Sequence, residues 1–158
     1  MIILSKPTNE DIFNIYESYR KQNEPDSPTI DYLNLSEKAL EDVRMKFKKH
    51  VYVTIVDLQK VGWVTFLIED DAVNLGFALF KEFRGKRLMT QIIKKAICDF
   101  ETNFPEKAII CSTREENIPA VKTIIKAGFT RVGTSMRSFN ENSEKKTLYI
   151  DFKYVGKL

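Results

Sequence analysis

Three strand-like stretches in immediate succession, residues 51–56, 61–68 and 73–80, are followed by one long helical stretch at 85–103. Strands joined by short turns pair antiparallel, and a helix placed between strands carries the chain across a sheet face. In the helical stretch Leu88, Ile92, Ala96 and Phe100 share one face, with Ile93 and Ile97 beside them. Pro105 follows its end. That order predicts a sheet begun by hairpins and covered by a helix that packs its apolar stripe onto it.

The rest of the chain extends the pattern. Residues 2–5 form a short apolar strand. Thr8 is placed to cap a helix, with Asp11 three residues on and Ile12, Phe13, Tyr16 and Tyr19 at helical spacing. Residues 23–34 hold Pro25 and Pro28 and read as a loop. A second helix is expected from Ser36, with Leu35 and Leu40 as a hydrophobic staple. Residues 108–112 form a strand, Asn117 caps a helix with Pro119 in its first turn, and Gly128 ends it. Residues 129–136 and 146–154 are the last two strands, joined through Asn140, Glu141 and Asn142. The expected order is β α α β β β α β α β β, an α/β (α+β) chain with a largely antiparallel sheet.

Size and charge narrow the function. A chain of 158 residues suits one domain over 1–158. Its net charge of +3 is too mild for a nucleic-acid binder, and no apolar run is long enough to span a bilayer. Cys98 and Cys111 are expected to be buried, unpaired thiols, which together with the lack of a secretory signal points to the cytoplasm. A single histidine, His50, argues against a metal site.

The stretch from Leu75 to Met89 carries the most chemistry. A strand ends, a basic turn follows and a helix begins. A helix start exposes unpaired N–H groups and a partial positive charge, which suits a diphosphate. Arg84, Lys86 and Arg87 add three charges, and Gly85 removes a Cβ where a ligand would approach. The stretch also reads as a plain solvated turn. It lacks both the Walker spacing and the three glycines of a dinucleotide fingerprint. Further on, Asn117-Ile-Pro-Ala120 and Lys126-Ala-Gly-Phe129 each mark a helix boundary.

Taken together, these motifs resemble the GNAT acetyltransferase superfamily over nearly the whole chain. The family's acetyl-CoA motif, Arg/Gln-x-x-Gly-x-Gly/Ala, is matched by residues 84–89, with Arg87 and Met89 standing where glycine or alanine is usual. Asn117, Ala120, Lys126, Gly128 and Phe129 match the family's later motif. The start of the 73–80 strand, Asn74-Leu-Gly-Phe77, is similar to the branch that acetylates ribosomal-protein N-termini.

The resemblance implies a GNAT fold: about seven strands, about four helices and a splayed cleft between strands 4 and 5. It implies acetyl-CoA as donor and an amine as acceptor, with direct transfer. Phe77, Leu79, Arg84, Gly85, Lys86, Arg87, Leu88, Met89 and Asn117 would line the cofactor site. Backbone groups near Phe77 to Leu79 would bond the pantetheine. The tyrosine that many relatives use as acid is Ile124 here. Candidates for proton transfer are Asp71, Asn74 (through a water) and Tyr149, with Cys111 and Ser112 within reach of the thioester. Asp71 also reads as a solvated turn residue, Tyr149 as half-buried packing, and Cys111 and Ser112 as packing residues without a chemical role. Glu24, Asp26, Asp31 and Glu37 would attract a cationic acceptor, and also read as plain surface charge. A non-catalytic acyl-CoA-binding domain is the main rival, and a protein-interaction module without cofactor the second. Monomer and homodimer both fit.

Overall fold

The computed structural model describes residues 1–23, 50–103, 105–138 and 146–156. The elements are β1 (Ile2–Ser5), α1 (Asn9–Asn23), β2 (His50–Val56), β3 (Gln59–Ile68), β4 (Ala72–Leu79), a 3-10 turn (Lys81–Phe83), α2 (Leu88–Asn103), β5 (Ala108–Arg114), α3 (Ile118–Lys126), β6 (Phe129–Ser138) and β7 (Lys146–Tyr154). The expected helix from Ser36, with its Leu35/Leu40 staple, and the acidic residues Glu24, Asp26, Asp31 and Glu37 lie outside the described residues. Three α-helices remain among the described residues.

The strands form one seven-stranded sheet in the order β1-β2-β3-β4-β5-β7-β6. Every neighbouring pair is antiparallel except β4–β5, which is parallel because α2 carries the chain back across the sheet between them. The β2–β3 hairpin closes on Asp57 and Leu58, both left-handed (φ 48 and 69), with Val56 paired to Gln59. Two such residues make the mirror-image turn whose twist matches that of the strands.

The sheet has two covered faces. On one, Val64, Phe66, Val73, Leu75, Ile109, Ile150 and Phe152 meet Ile92, Ile93, Ala96, Ile97 and Phe100 of α2 and Ile124 of α3 in the main core. Phe66 and Phe100 stack with ring centroids 4.8 Å apart. On the other, Ile15 of α1 packs with Val53 and Trp63, and with Ala78 and Phe80. The helical stripe read for α2 is the buried one, with Met89 added and Leu88 half-buried. In α1 the most buried apolar side chains are Phe13 and Ile15. Ile15 was not foreseen, and the side chains of Tyr16 and Tyr19 lie outside the described ones.

Two local expectations need correction. The helix expected from Gly85 starts at Leu88, because Gly85 (φ 77) and Arg87 (φ 59) are left-handed and cannot belong to a right-handed helix. Cys98 is exposed on α2, and only Cys111 is buried; both are free thiols. No helix among the described residues is long and apolar enough to cross a membrane.

α1 begins with reciprocal hydrogen bonds: Thr8 N–H donates to Asp11 Oδ2 (2.9 Å) and Asp11 N–H to Thr8 Oγ1 (3.1 Å). Lys60 Nζ donates to Asp11 Oδ1 at 2.8 Å. Burial pushes the Asp11 carboxyl up, but the Lys60 and Thr8 hydrogen bonds and the Lys60 charge outweigh it and hold it below its usual value.

Candidate active site

The parallel β4–β5 ladder is short. Its rungs are Ala72↔Ala108, Val73↔Ile109 and Asn74↔Ile110. Beyond Asn74, β4 stays paired to β3 as far as Leu79, while from Ile110 β5 pairs with β7 on its other side. The two strands therefore diverge, leaving a wedge edged by Leu75–Leu79 on one side and residues 111–114 on the other.

The direction of the backbone groups along the β4 edge follows from two anchors. Ala108 N–H donates to Asp71 C=O at 3.3 Å, so residue 71 faces β5. Phe80 N–H donates to Val61 C=O at 2.9 Å, so residue 80 faces β3. Successive residues of a strand point opposite ways, and both anchors give the same phase. Leu75, Phe77 and Leu79 thus turn their N–H and C=O groups into the wedge. These are obligatory hydrogen-bonding groups, and an extended chain laid in the wedge would satisfy them.

At the wide end of the wedge β4 runs into the 3-10 turn and then residues 84–87. Arg84 is extended (φ −72, ψ 155), and its Nε donates to Leu79 C=O at 3.0 Å. Its guanidinium is thereby pinned across the end of β4. Lys86 Nζ lies 5.4 Å from the centroid of the Phe83 ring. Arg84, Gly85, Lys86 and Arg87 are all exposed. A Cβ built on Gly85 meets nothing within 4 Å, so the space above that residue is open. Among the described residues no side chain hydrogen-bonds to the N–H groups at the start of α2. The side chain of Met89 is buried in the main core and so points away from the loop.

The other foreseen residues are placed as follows. Asn117 caps α3: its Oδ1 accepts from Ala120 N–H at 3.3 Å. Among the described residues its side-chain amide nitrogen makes no hydrogen bond. Asp71 is exposed on the turn before β4, short of the point where the strands part. Asn74 is in the last shared rung. Cys111 faces the main core, where burial pushes its thiol up to about 12, too high for a thiolate nucleophile near neutral pH. Ile124 is fully buried in the same core.

Tyr149 belongs to a group that sequence reading missed. Ser112 Oγ donates to Asp151 Oδ1 at 2.7 Å, and Arg137 Nη2 donates to the same oxygen at 2.8 Å. Arg137 Nη2 also donates to Ser112 Oγ (3.0 Å), and its Nε to Ser135 Oγ (3.1 Å). The guanidinium lies 5.2 Å from the centroid of the Tyr149 ring. The available signal was a carboxylate flanked by two buried apolar residues, Ile150 and Phe152, in a strand whose alternation puts Tyr149 on its face.

Comparison with known proteins agrees with this geometry. Residues 2–130 match the acetyltransferase (GNAT) domain family. No curated protein matches the chain. Among solved structures, spermidine N-acetyltransferase from Vibrio cholerae in complex with CoA and spermine superposes with a TM-score of 0.72 at 16% identity, covering 96% of this chain and 94% of that one. The microcin C7 self-immunity acetyltransferase MccE, in complex with acetyl-CoA and AMP, gives 0.69 at 18% identity, covering 98% and 92%. An IAA acetyltransferase from Bacillus cereus gives 0.68 at 13% identity, covering 98% and 99%. At these identities the structural likeness speaks for the fold, and the family match for kinship: this chain belongs to the GNAT acetyltransferases, a family of acyltransferases.

Proposed function

We propose that this chain is a single-domain N-acetyltransferase that moves the acetyl group of acetyl-CoA directly to a primary amine. The observation that carries this reading is the continuity of the β4 edge with the start of α2. Inward-facing backbone groups at Leu75, Phe77 and Leu79 lead to a loop where Gly85 leaves open space and, among the described residues, no side chain closes the helix start. The residues present fit the coenzyme. The edge offers a ladder to its amide-bearing arm, and the N–H groups of residues 85–89 with Lys86 and Arg87 offer donors and charge to its diphosphate. Arg84, tied to Leu79, would hold the end of β4 in place. Asn117 would reach it through its amide nitrogen.

The coenzyme supplies an activated thioester, and the protein's own tasks are orientation, charge stabilisation and proton traffic. A backbone N–H from the β4 edge, at Leu79 or Phe77, can donate to an oxyanion without asking for any particular side chain. Asn74, at the apex of the wedge, can orient a water. Asp71 is set back from that apex and would need a chain of waters to act. Acceptor classes include a small amine, as in the spermidine enzyme, and a protein N-terminus, as in the ribosomal-protein branch. The chain's two free thiols fit a reducing compartment such as the cytoplasm.

The experiment is acetyl-CoA turnover, followed by thiol release, over a broad amine panel, with calorimetric titration of CoA in parallel. Binding together with turnover supports the proposal. Binding with no turnover on any amine would select the non-catalytic acyl-CoA-binding reading, which the isoleucine at position 124 favours because it leaves α3 without a phenol. No heat at millimolar CoA would leave an interaction module.

A further inference from the structure

The cluster around Asp151 lies beside the wedge, on the sheet face opposite the main core. Cys111, Ile150 and Phe152 point into that core, so Ser112 and Asp151, their strand neighbours, point the other way. Ser112 and Asp151 are paired partners in the β5–β7 ladder, and Ser112 is two residues past Ile110, the last residue shared with β4. Arg137 reaches the pair from β6, over Tyr149.

This arrangement does more than tie three strands together. A partly exposed ion pair contributes only about 0–1 kcal/mol to stability. Here the side chains of Arg137 and Asp151 are 43% and 28% exposed. Yet every bond in the cluster converges on one edge of each group. Among the described residues the hydrogen bonds use Oδ1 of Asp151 and Nε and Nη2 of Arg137. Oδ2 and Nη1 carry none. Among the described residues this leaves a pre-oriented pair with one open acceptor atom and one open donor atom.

The pair as a whole is neutral. A simple cation at Oδ2 is repelled by Arg137, and a simple anion at Nη1 is repelled by Asp151. A ligand bearing both charges close together sets each one nearer its opposite than its like, so the two attractions outweigh the cross repulsions. We infer that Arg137 and Asp151 form the acceptor subsite and that the acceptor is an amino acid. Its ammonium group docks at Asp151 Oδ2, next to the wedge, and its carboxylate docks at Arg137 Nη1. The inference rests on the acetyl-transfer reading above and names the substrate class of that site. Arg137 and Asp151 are specificity-determining residues in it, and Ser112 and Ser135 are positioning residues that fix the fork of the arginine.

The test uses the full chain, acetyl-CoA, and a panel of common L-amino acids beside their carboxamides, which keep the amine but lose the anion. At least one acid should be acetylated with kcat/KM about tenfold or more above its amide, the scale of one charge-assisted contact. Arg137→Gln should collapse that ratio towards one while leaving CoA affinity unchanged. Arg137→Lys, which keeps the charge but not the fork, should restore part of it. Asp151→Asn should raise KM for acids and amides alike. Thermal melting identifies any variant that fails to fold, and Ser135→Ala, a milder change, should lower the ratio in its place. The inference is overturned if amides serve as well as acids, if the ratio survives Arg137→Gln in a folded protein, or if CoA binds and no amino acid is acetylated. Failure of the wild-type chain to bind CoA at all overturns the acetyl-transfer reading itself, a distinct result.

Discussion

The starts of α2 and α3 answer the same physical problem in opposite ways. Every helix begins with unpaired N–H groups. α3 closes its own: Asn117 accepts from Ala120, and Pro119 removes one donor altogether. α1 does the same with the Thr8–Asp11 reciprocal pair. Among the described residues no side chain closes the first turn of α2, which is preceded by two left-handed residues, Gly85 and Arg87. Self-satisfied starts at α1 and α3 are what a stable helix needs. An open start on the helix that follows the splayed strand is what a ligand needs.

The contrast breaks most directly at Gly85. Its missing Cβ faces open space, so a large side chain there fills the ligand's volume rather than the protein's. Gly85→Trp should weaken CoA binding by at least about tenfold, or about 1.4 kcal/mol. It should also cost roughly 1–2 kcal/mol of stability from the left-handed backbone, so calorimetry has to be run below the lowered melting temperature. Unchanged CoA affinity in the folded variant would place the diphosphate elsewhere. Asn117→Ala should show the converse balance. Losing a side-chain cap costs about 1 kcal/mol of stability. The loss of CoA affinity should be smaller than at Gly85, since Asn117 spends its oxygen on α3.

The same contrast separates what the sequence made legible from what it did not. Periodicity and caps are local, so the apolar stripe of α2, the Thr8 and Asn117 caps and the strand order could all be read residue by residue. The start of α2 was misplaced by three residues, since nothing in Arg-Gly-Lys-Arg announces that Arg87 takes a left-handed φ. Cys98 is exposed because helical phase sets it opposite the α2 stripe, so its apolar character alone was a poor guide to burial. The Ser112–Arg137–Asp151 group was invisible for a different reason. Its members come from three strands, and their meeting depends on β7 inserting between β5 and β6. Strand alternation could place Asp151 on a face but could not say what shared it.

Arg87 offers a finer cut, because it stands where the family usually has glycine. Its φ of 59 costs a non-glycine residue about 1 kcal/mol or more. Arg87→Gly removes that strain but adds backbone entropy to the unfolded chain, leaving a net gain of roughly 0.5 kcal/mol. The CoA titration then isolates the side chain. A fall in affinity that shrinks at high salt assigns the guanidinium to a phosphate, since exposed charge contacts are screened. An unchanged affinity means that the backbone amides alone do the holding.

Leu58 is the control for that experiment. It too is a left-handed non-glycine residue (φ 69), in the turn between β2 and β3, and its side chain is 92% exposed. Leu58→Gly creates Asp-Gly, the pair best suited to this mirror-image turn. The expected gain is a few tenths of a kcal/mol, read as a small rise in melting temperature, with CoA affinity unchanged. Leu58 and Arg87 carry the same kind of backbone strain, but only Arg87 lies where the structure opens a helix start. If the two glycine variants raise the melting temperature alike and neither alters CoA binding, the side chain of Arg87 has no part in the site and its strain is no more functional than that of a surface hairpin. If only Arg87→Gly changes binding, the left-handed residue before α2 is tied to the ligand, and the difference between the two variants measures the contribution of its side chain.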